Sequence, residues 1–257
     1  MLELENIEKR FNRGTPDESV LFQDFNFSVN DGEFVSIVGS NGSGKTTLLN
    51  LVSGTLRPEA GKILLGGEDI TGQKEFIRAR KIGRVFQNPS SGTANSMTIA
   101  ENMAIAENKG RRYGLSAGLG KKRLEYYRDL LRPLGLGLED RLNTAVGALS
   151  GGQRQVLTLL IATMTPIKLL LLDEHTAALD PKTAEQTMVL TDRIVREKKI
   201  TTLMVTHNLR FAKEYGTRLC MFDKGHVVLD VAGEEKAKKT VDDLLGLFNE
   251  ISVECGN

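Results

Sequence analysis

FVSIVGSNGSGKTTLLNLV, residues 34–52, decides the fold. An apolar run from Phe34 to Val38 leads into a glycine-rich loop, and Leu48, Leu49, Leu51 and Val52 follow at helical spacing, so strand, loop and helix succeed one another. Gly39, Gly44, Lys45 and Thr46 meet the pattern G-x-x-x-x-G-K-[ST]. The glycines let backbone N–H groups of Gly39, Ser40, Asn41, Gly42, Ser43, Gly44 and Thr47 curl around phosphate oxygens without a Cβ in the way. The loop also empties onto a helix N-terminus, where unpaired N–H groups and the helix dipole favour anions. Lys45 is predicted to reach the β and γ phosphates, and the Thr46 hydroxyl to ligate a bridging Mg2+. These residues predict binding of ATP or GTP; a glycine-rich turn with a surface lysine is the plainer alternative.

Around this stretch the sequence changes character. Leu2 and Leu4, then Phe25, Phe27 and Val29, then Ile63 and Leu65 alternate with polar residues between Gly, Asn and Asp turns, the pattern of half-exposed antiparallel strands. FVSIV, KLLLLD and TTLMVT are continuous apolar runs, as expected of strands buried on both faces of a parallel sheet. From Thr98 to Thr165 strand signals fade and helical periodicity takes over in Leu124, Tyr127, Leu130 and Leu131 and in Val156, Leu159 and Leu160. The reading is one α/β domain over 1–257, with a core and an antiparallel β subdomain in 1–97 and 166–257, and a helical lobe inserted at 98–165. Asp180 and Pro181 open a helix expected to run through Lys198 with Ala184, Met188, Ile194 and Val195 inward. Arg218 to Phe222 and His226 to Asp230 flank a turn at Asp223, Lys224 and Gly225 and predict a hairpin. A last helix, with Leu244, Leu245, Phe248 and Ile251 apolar, is expected to close the chain.

Composition narrows the classes. The 257 residues are 40% hydrophobic and 26% charged with a net charge of +1, so neither disorder nor a global attraction to nucleic acid is indicated. Cys220 and Cys255 lie far apart and form no metal-ligand spacing, which fits a reducing compartment. MLELENIEKR carries no apolar targeting segment, and no run approaches the roughly 18 residues of a membrane span. Any action at a membrane needs a partner to supply the span.

Two further segments carry chemistry. Leu149, Ser150, Gly151, Gly152 and Gln153 precede a helix expected to run to about Thr165, stopping at Pro166, and they offer a second anion-binding helix start. They also read simply as a capped helix entered through Gly-Gly. The run KLLLLDE ends in adjacent carboxylates: Asp173 at a strand end is placed to hold Mg2+, and Glu174 to orient and deprotonate an attacking water. An acidic pair capping a strand is the bland alternative.

These segments together resemble the nucleotide-binding subunits of ABC transporters: the phosphate loop at 39–46, LSGGQ at 149–153, the Walker B strand at 168–174 and a histidine after a strand at 207 stand in that family's order. The resemblance covers essentially the whole chain and implies a P-loop NTPase core of ABC type, and ATP rather than GTP. It implies that Gln87 in VFQNP senses Mg2+ and the attacking water and lies next to the membrane partner. Ala177, Ala178, Leu179 and Asp180 take the place of the D-loop at a dimer interface, and His207 that of the switch histidine on the γ-phosphate. Phe11 takes the place of the aromatic that stacks on adenine. A turn residue, a helix cap, a structural histidine and a core phenylalanine are the respective plain readings.

In that family two cassettes join head to tail, so Ser150 and Gly152 of one chain close over ATP held by Lys45 of the other, and hydrolysis drives a separate transmembrane permease. The expected protein is thus an ATPase subunit of an ABC transporter, peripheral on the cytoplasmic face of the membrane. It is expected to be an importer because no spans are fused to it, to work with a second copy of itself and an extracytoplasmic solute-binding protein, and to bind no nucleic acid. DEHTAALD and NPSSGTANSMTIAEN resemble cassettes of an importer group for amino-acid-like, aromatic solutes. The rival is a soluble ABC ATPase acting on ribosomes or DNA. Such proteins carry tandem cassettes, coiled-coil inserts or zinc-binding cysteines, unlike this chain. Two features depart from the family: His175 stands where proline is common and is expected to be a packing substitution, and Lys109, Arg111, Arg112, Lys121, Lys122 and Arg123 form a basic stretch that reads as a solvated loop or as a contact to a partner or to lipid head groups.

Overall fold

A computed structural model describes residues 1–110 and 119–254 of the chain, with side chains as far as residue 250. Strands β1 (Leu2–Phe11), β2 (Ser19–Val29), β4 (Ala60–Leu65) and β5 (Glu68–Asp69) form an antiparallel sheet in the order β2-β1-β4-β5. Its register sets Leu2 opposite Val29 and Leu65, and Leu4 opposite Phe27 and Ile63. The alternating apolar residues therefore fall on one face, and all six are buried.

The second sheet has the order β10-β9-β3-β8-β7-β6, from β3 (Phe34–Gly39), β6 (Ile82–Val85), β7 (Leu169–Asp173), β8 (Thr201–Val205), β9 (Arg218–Asp223) and β10 (His226–Ala232). Strands β6, β7, β8, β3 and β9 run parallel, and β9 and β10 make the expected hairpin. The leucines of β7 show why such strands read as continuous apolar runs. Leu169 and Leu171 enter a core shared with the antiparallel sheet and α1 (Lys45–Ser53), whereas Leu170 and Leu172 enter a second core under α5 (Gly151–Thr163) and α6 (Pro181–Lys198). All four are fully buried, each contributing about 2 kcal/mol of transfer free energy.

Helix α5 ends at Thr163, two residues earlier than expected, while α6 begins and ends where its proline start and basic last turn placed it. Helices α3 (Ile99–Glu107) and α4 (Lys121–Leu131) pack with the outer face of α5 around a separate core that includes Met103, Tyr127, Leu131, Leu157 and Leu160. The short helices α2 (Glu75–Arg78), α7 (Leu209–Glu214) and α8 (Gly233–Lys238) precede the final α9 (Val241–Glu254). In α9, Leu244 is buried against Val38, Met221 and Val231 with Leu247 and Phe248 packed near it, and Leu245 stands exposed. The Ile251 side chain and Cys255 lie outside the described residues, and Cys220 is buried.

Arg78 joins these layers. Fully buried, its guanidinium donates to the carbonyls of Leu51 at 2.6 Å and Val52 at 3.0 Å, which end α1, and to those of Thr71 at 2.8 Å and Gln73 at 3.1 Å. A cation at a helix C-terminus meets both the unpaired carbonyls and the negative end of the dipole. Burial pushes its pKa down.

Candidate active site

The parallel register collects the chemical segments at one edge. Ile37, Val205 and Asp173 lie in one row across β3, β8 and β7, and Val85 pairs with Leu172 one step below. Gly39, His207, Glu174 and Gln87 follow within two residues of that row, so all leave the sheet at the carboxyl ends of adjacent strands, where open α/β sheets bind ligands.

The loop after β3 is held by its neighbours. Ser40 Oγ donates to Asp223 Oδ1 at 3.1 Å, and the Gly225 N–H donates to the Ser43 carbonyl at 3.1 Å, tying the loop to the β9–β10 hairpin. Gly44, the N-cap of α1, has φ +106, and a Cβ there would come within 2.8 Å of the Phe22 ring, so no other residue fits. Lys45 Nζ donates to the carbonyls of Gly39 at 2.8 Å and Ser40 at 2.7 Å and to Ser43 Oγ at 3.3 Å. Burial pushes its pKa down, and the charges of Glu174 and Asp173 oppose that fall. Thr46 is exposed on the first turn of α1.

Glu174 and His207 are brought together, Oε1 to Nε2, at 2.7 Å. Glu174 stands at φ +46, a left-handed conformation costly for a residue such as glutamate, and its N–H donates to the Val205 carbonyl at 2.9 Å. Asp173 pairs with Arg84, Oδ2 to Nη2, at 2.9 Å. Sequence reasoning passed over Arg84; the legible signal was a lone charge inside the apolar strand Ile82–Val85 just before Gln87.

Other expected residues lie on separate elements. Ser150 is the N-cap of α5, and its hydroxyl and the Gln153 side chain close a reciprocal capping box. Gln153 also donates to the Leu136 carbonyl at 3.3 Å, so its amide is spent within the chain. A Cβ on Gly152 would come within 2.2 Å of the Thr183 methyl, so glycine lets α5 approach the start of α6, where Asp180 caps by accepting the Thr183 N–H at 3.1 Å. Gln87 is exposed, in a segment tied to α5 by Arg154 on Ser90 at 3.2 Å. Phe11 ends β1 opposite Ser19, with Lys9 Nζ 5.4 Å from its ring centre.

His175 is buried, with Nε2 3.2 Å from Thr191 Oγ1 in α6, and burial pushes its pKa down to about 4. It is a neutral packing group, as expected. Since its pKa falls below the ordinary 6.5, the unfolded chain binds the proton first as pH drops, and stability is lost between about 6.5 and 4. Over that window the wild type should lose about 3 kcal/mol more than His175→Gln, read from urea midpoints at each pH; equal losses would remove His175 as the cause. In the basic stretch, Arg123 pairs with Glu107 at 3.1 Å and Lys109 turns toward the Ile82 carbonyl at 3.4 Å, so these two serve the fold. Lys121 and Lys122 are exposed, and Arg111 and Arg112 lie outside the described residues.

Among the described residues no cluster of three or more His, Cys, Asp or Glu side chains could hold a metal by itself. One hydroxyl and one carboxylate beside a phosphate cradle suit Mg2+, which binds few protein ligands and completes its shell with phosphate oxygens and water.

Comparison with known proteins agrees with this geometry. The family model described as ABC transporter matches residues 22–177. The chain is 48% identical over 250 residues, 96% of its length and 98% of the relative's, to the tyrosine transport ATP-binding protein of Clostridioides difficile. It is 34% identical to a methionine import ATP-binding protein of Bacillus thuringiensis, covering 97% of this chain and 73% of the relative. Among solved structures, an ABC transporter cassette in its ADP conformation superposes with a TM-score of 0.78 at 28% identity, covering 98% of both chains. A dimeric cassette bound to ADP and Pi after hydrolysis gives 0.76 at 30% identity, covering 90% of this chain and 98% of that one. With its phosphate loop, paired Glu174 and His207 and capped signature helix set on this fold, the chain belongs to the ABC transporter family and is one of its ATP-hydrolysing cassettes.

Proposed function

We propose that this cassette powers import of an amino-acid-type solute, aromatic by its kinship to the tyrosine transport protein, through a separate membrane permease. The observation that carries the catalytic part is the contact of 2.7 Å between Glu174 and His207 at the strand ends beside the phosphate loop. The loop 39–47 binds the ATP phosphates, with Lys45 leaving its carbonyl partners for the β and γ phosphates, and Phe11 stacks on adenine. Glu174 orients and deprotonates the attacking water, while His207 holds the Glu174 carboxylate and hydrogen-bonds the γ-phosphate. Thr46 and Asp173, with Gln87 near the attacking water, would hold Mg2+, which neutralises charge developing on the phosphates.

Ser150, Gly151 and Gly152 close over ATP in a second copy, with Gln153 fixing the cap and Asp180 at the interface. The dimeric structural neighbour supports this arrangement. The segment 98–165 acts as the lobe that carries the signature. Among the described residues no helix is long and apolar enough to cross a membrane, and the reading takes the permease to be a separate chain. A cleft of 460 Å3 between the sheet edge and the helices, lined by Phe86, Ile105, Lys109 and Ile161, with Phe76 exposed nearby, is the surface for it. In this reading the cassette sits on the inner face of the membrane, and a solute-binding protein outside completes an importer.

The test is to purify the tagged chain from its native cell in mild detergent. A polytopic membrane protein in stoichiometric amount, whose reconstituted complex hydrolyses ATP faster when a solute-binding protein loaded with tyrosine is added, is the expected result. Ribosomal or DNA-associated partners without a membrane subunit would overturn the transport reading.

A further inference from the structure

Arg84 is a charged residue on the edge strand of the main sheet, and its side chain is only 11% exposed. One nitrogen donates to Asp173 Oδ2 at 2.9 Å and another to Ser53 Oγ at 3.2 Å, at the end of the helix that begins with Lys45 and Thr46. The guanidinium carbon lies 4.7 Å from the centre of the Phe86 ring, next to Gln87, while its buried Nε finds no partner among the described residues. A methionine or leucine would pack on Phe86 but would leave the buried Asp173 carboxylate without its ion-pair partner unless a cation takes that place. The buried guanidinium therefore serves the Asp173 carboxylate, the one charged group it pairs with.

We propose that Arg84 is a positioning residue for the Asp173 carboxylate and that its charge sets how tightly a divalent ion is held there. The inference rests on the reading that Asp173 holds Mg2+. By engaging Oδ2, Arg84 fixes the carboxylate rotamer and leaves Oδ1 for the metal or its water. Its positive charge also opposes a dication on the same carboxylate, which keeps the metal exchangeable with each nucleotide. Arg84, Ser53 and Phe86 also line the cleft of 460 Å3, so the group that holds Asp173 is in contact with whatever fills that cleft.

The test uses the full chain with a non-hydrolysable ATP analogue, and free Mn2+ is followed by electron paramagnetic resonance as Mn2+ is titrated in. Arg84→Met should lower the half-saturating Mn2+ concentration roughly tenfold, the scale of a like charge removed from a partly buried site. Arg84→Lys, which keeps the charge, should stay within about threefold of wild type. Arg84→Gln, which keeps a donor but not the charge, should tighten binding like Met and replaces it if the Met variant fails to melt cooperatively. In an Asp173→Asn background Arg84→Met should have a clearly smaller effect, because only the direct repulsion between guanidinium and dication then remains. Unchanged affinity in both neutral variants, or full additivity with Asp173→Asn, overturns the role of Arg84. Wild-type affinity in Asp173→Asn itself overturns the metal reading beneath it.

Discussion

Glu174→Gln should bind ATP as the wild type does and hydrolyse it roughly 10²- to 10⁴-fold more slowly, the range associated with losing a positioned general base. The amide is nearly isosteric and can still meet His207, now 2.7 Å from the carboxylate, so the site keeps its shape while losing the proton acceptor. A thousandfold loss is about 4 kcal/mol of transition-state stabilisation. Two cassettes that close over ATP and reopen on hydrolysis should then accumulate as a dimer. Phosphate release in single turnovers and sedimentation with ATP check the two halves separately. Wild-type turnover would remove Glu174 from the mechanism, whereas slow turnover by a chain that stays monomeric would leave the chemistry and reject the closed sandwich.

Arg78→Met should lower folding stability by about 4 kcal/mol, because the carbonyls of Leu51, Val52, Thr71 and Gln73 lose a buried charged donor. The cost is net of relieving the burial of the charge itself, which pulls the other way. Domains carry about 5–15 kcal/mol in total, so one substitution far from the phosphates removes a large share. At about 2–4 °C per kcal/mol the melting point should drop by roughly 10 °C. Arg78 caps the far end of α1, so molecules still folded should bind ATP with nearly unchanged affinity. A urea midpoint equivalent to a loss under about 1 kcal/mol would show that water or neighbouring donors replace the guanidinium.

What could be read without coordinates follows from how local each signal is. The phosphate loop, the capped starts at Ser150 and Asp180, and the turn at Lys224 and Gly225 are fixed by chain neighbours, so residue type and spacing suffice. Burial of β7 on both faces was legible in its four consecutive leucines. The hydrogen-bond partners of Arg78 and Arg84 were not, since they lie between 5 and 89 residues away; a basic residue such as Arg78 ordinarily points to water, and for Arg84 the lone charge in an apolar strand signalled burial but not its partner. Leu245 shows the same limit from the other side: its apolar character was plain, but only the strands and helices that α9 packs on decide that it faces out.

The left-handed backbone at Glu174 restricts which sequences can occupy this corner of the fold. Glycine, asparagine and aspartate take such a conformation most readily, and none of them carries a carboxylate at the reach of glutamate. On the proposed role of Glu174, drift toward a more comfortable backbone costs the cassette its proton acceptor. If Glu174 is the base proposed above, a copy of this gene released from its task is free to exchange it for a residue that suits the left-handed backbone better.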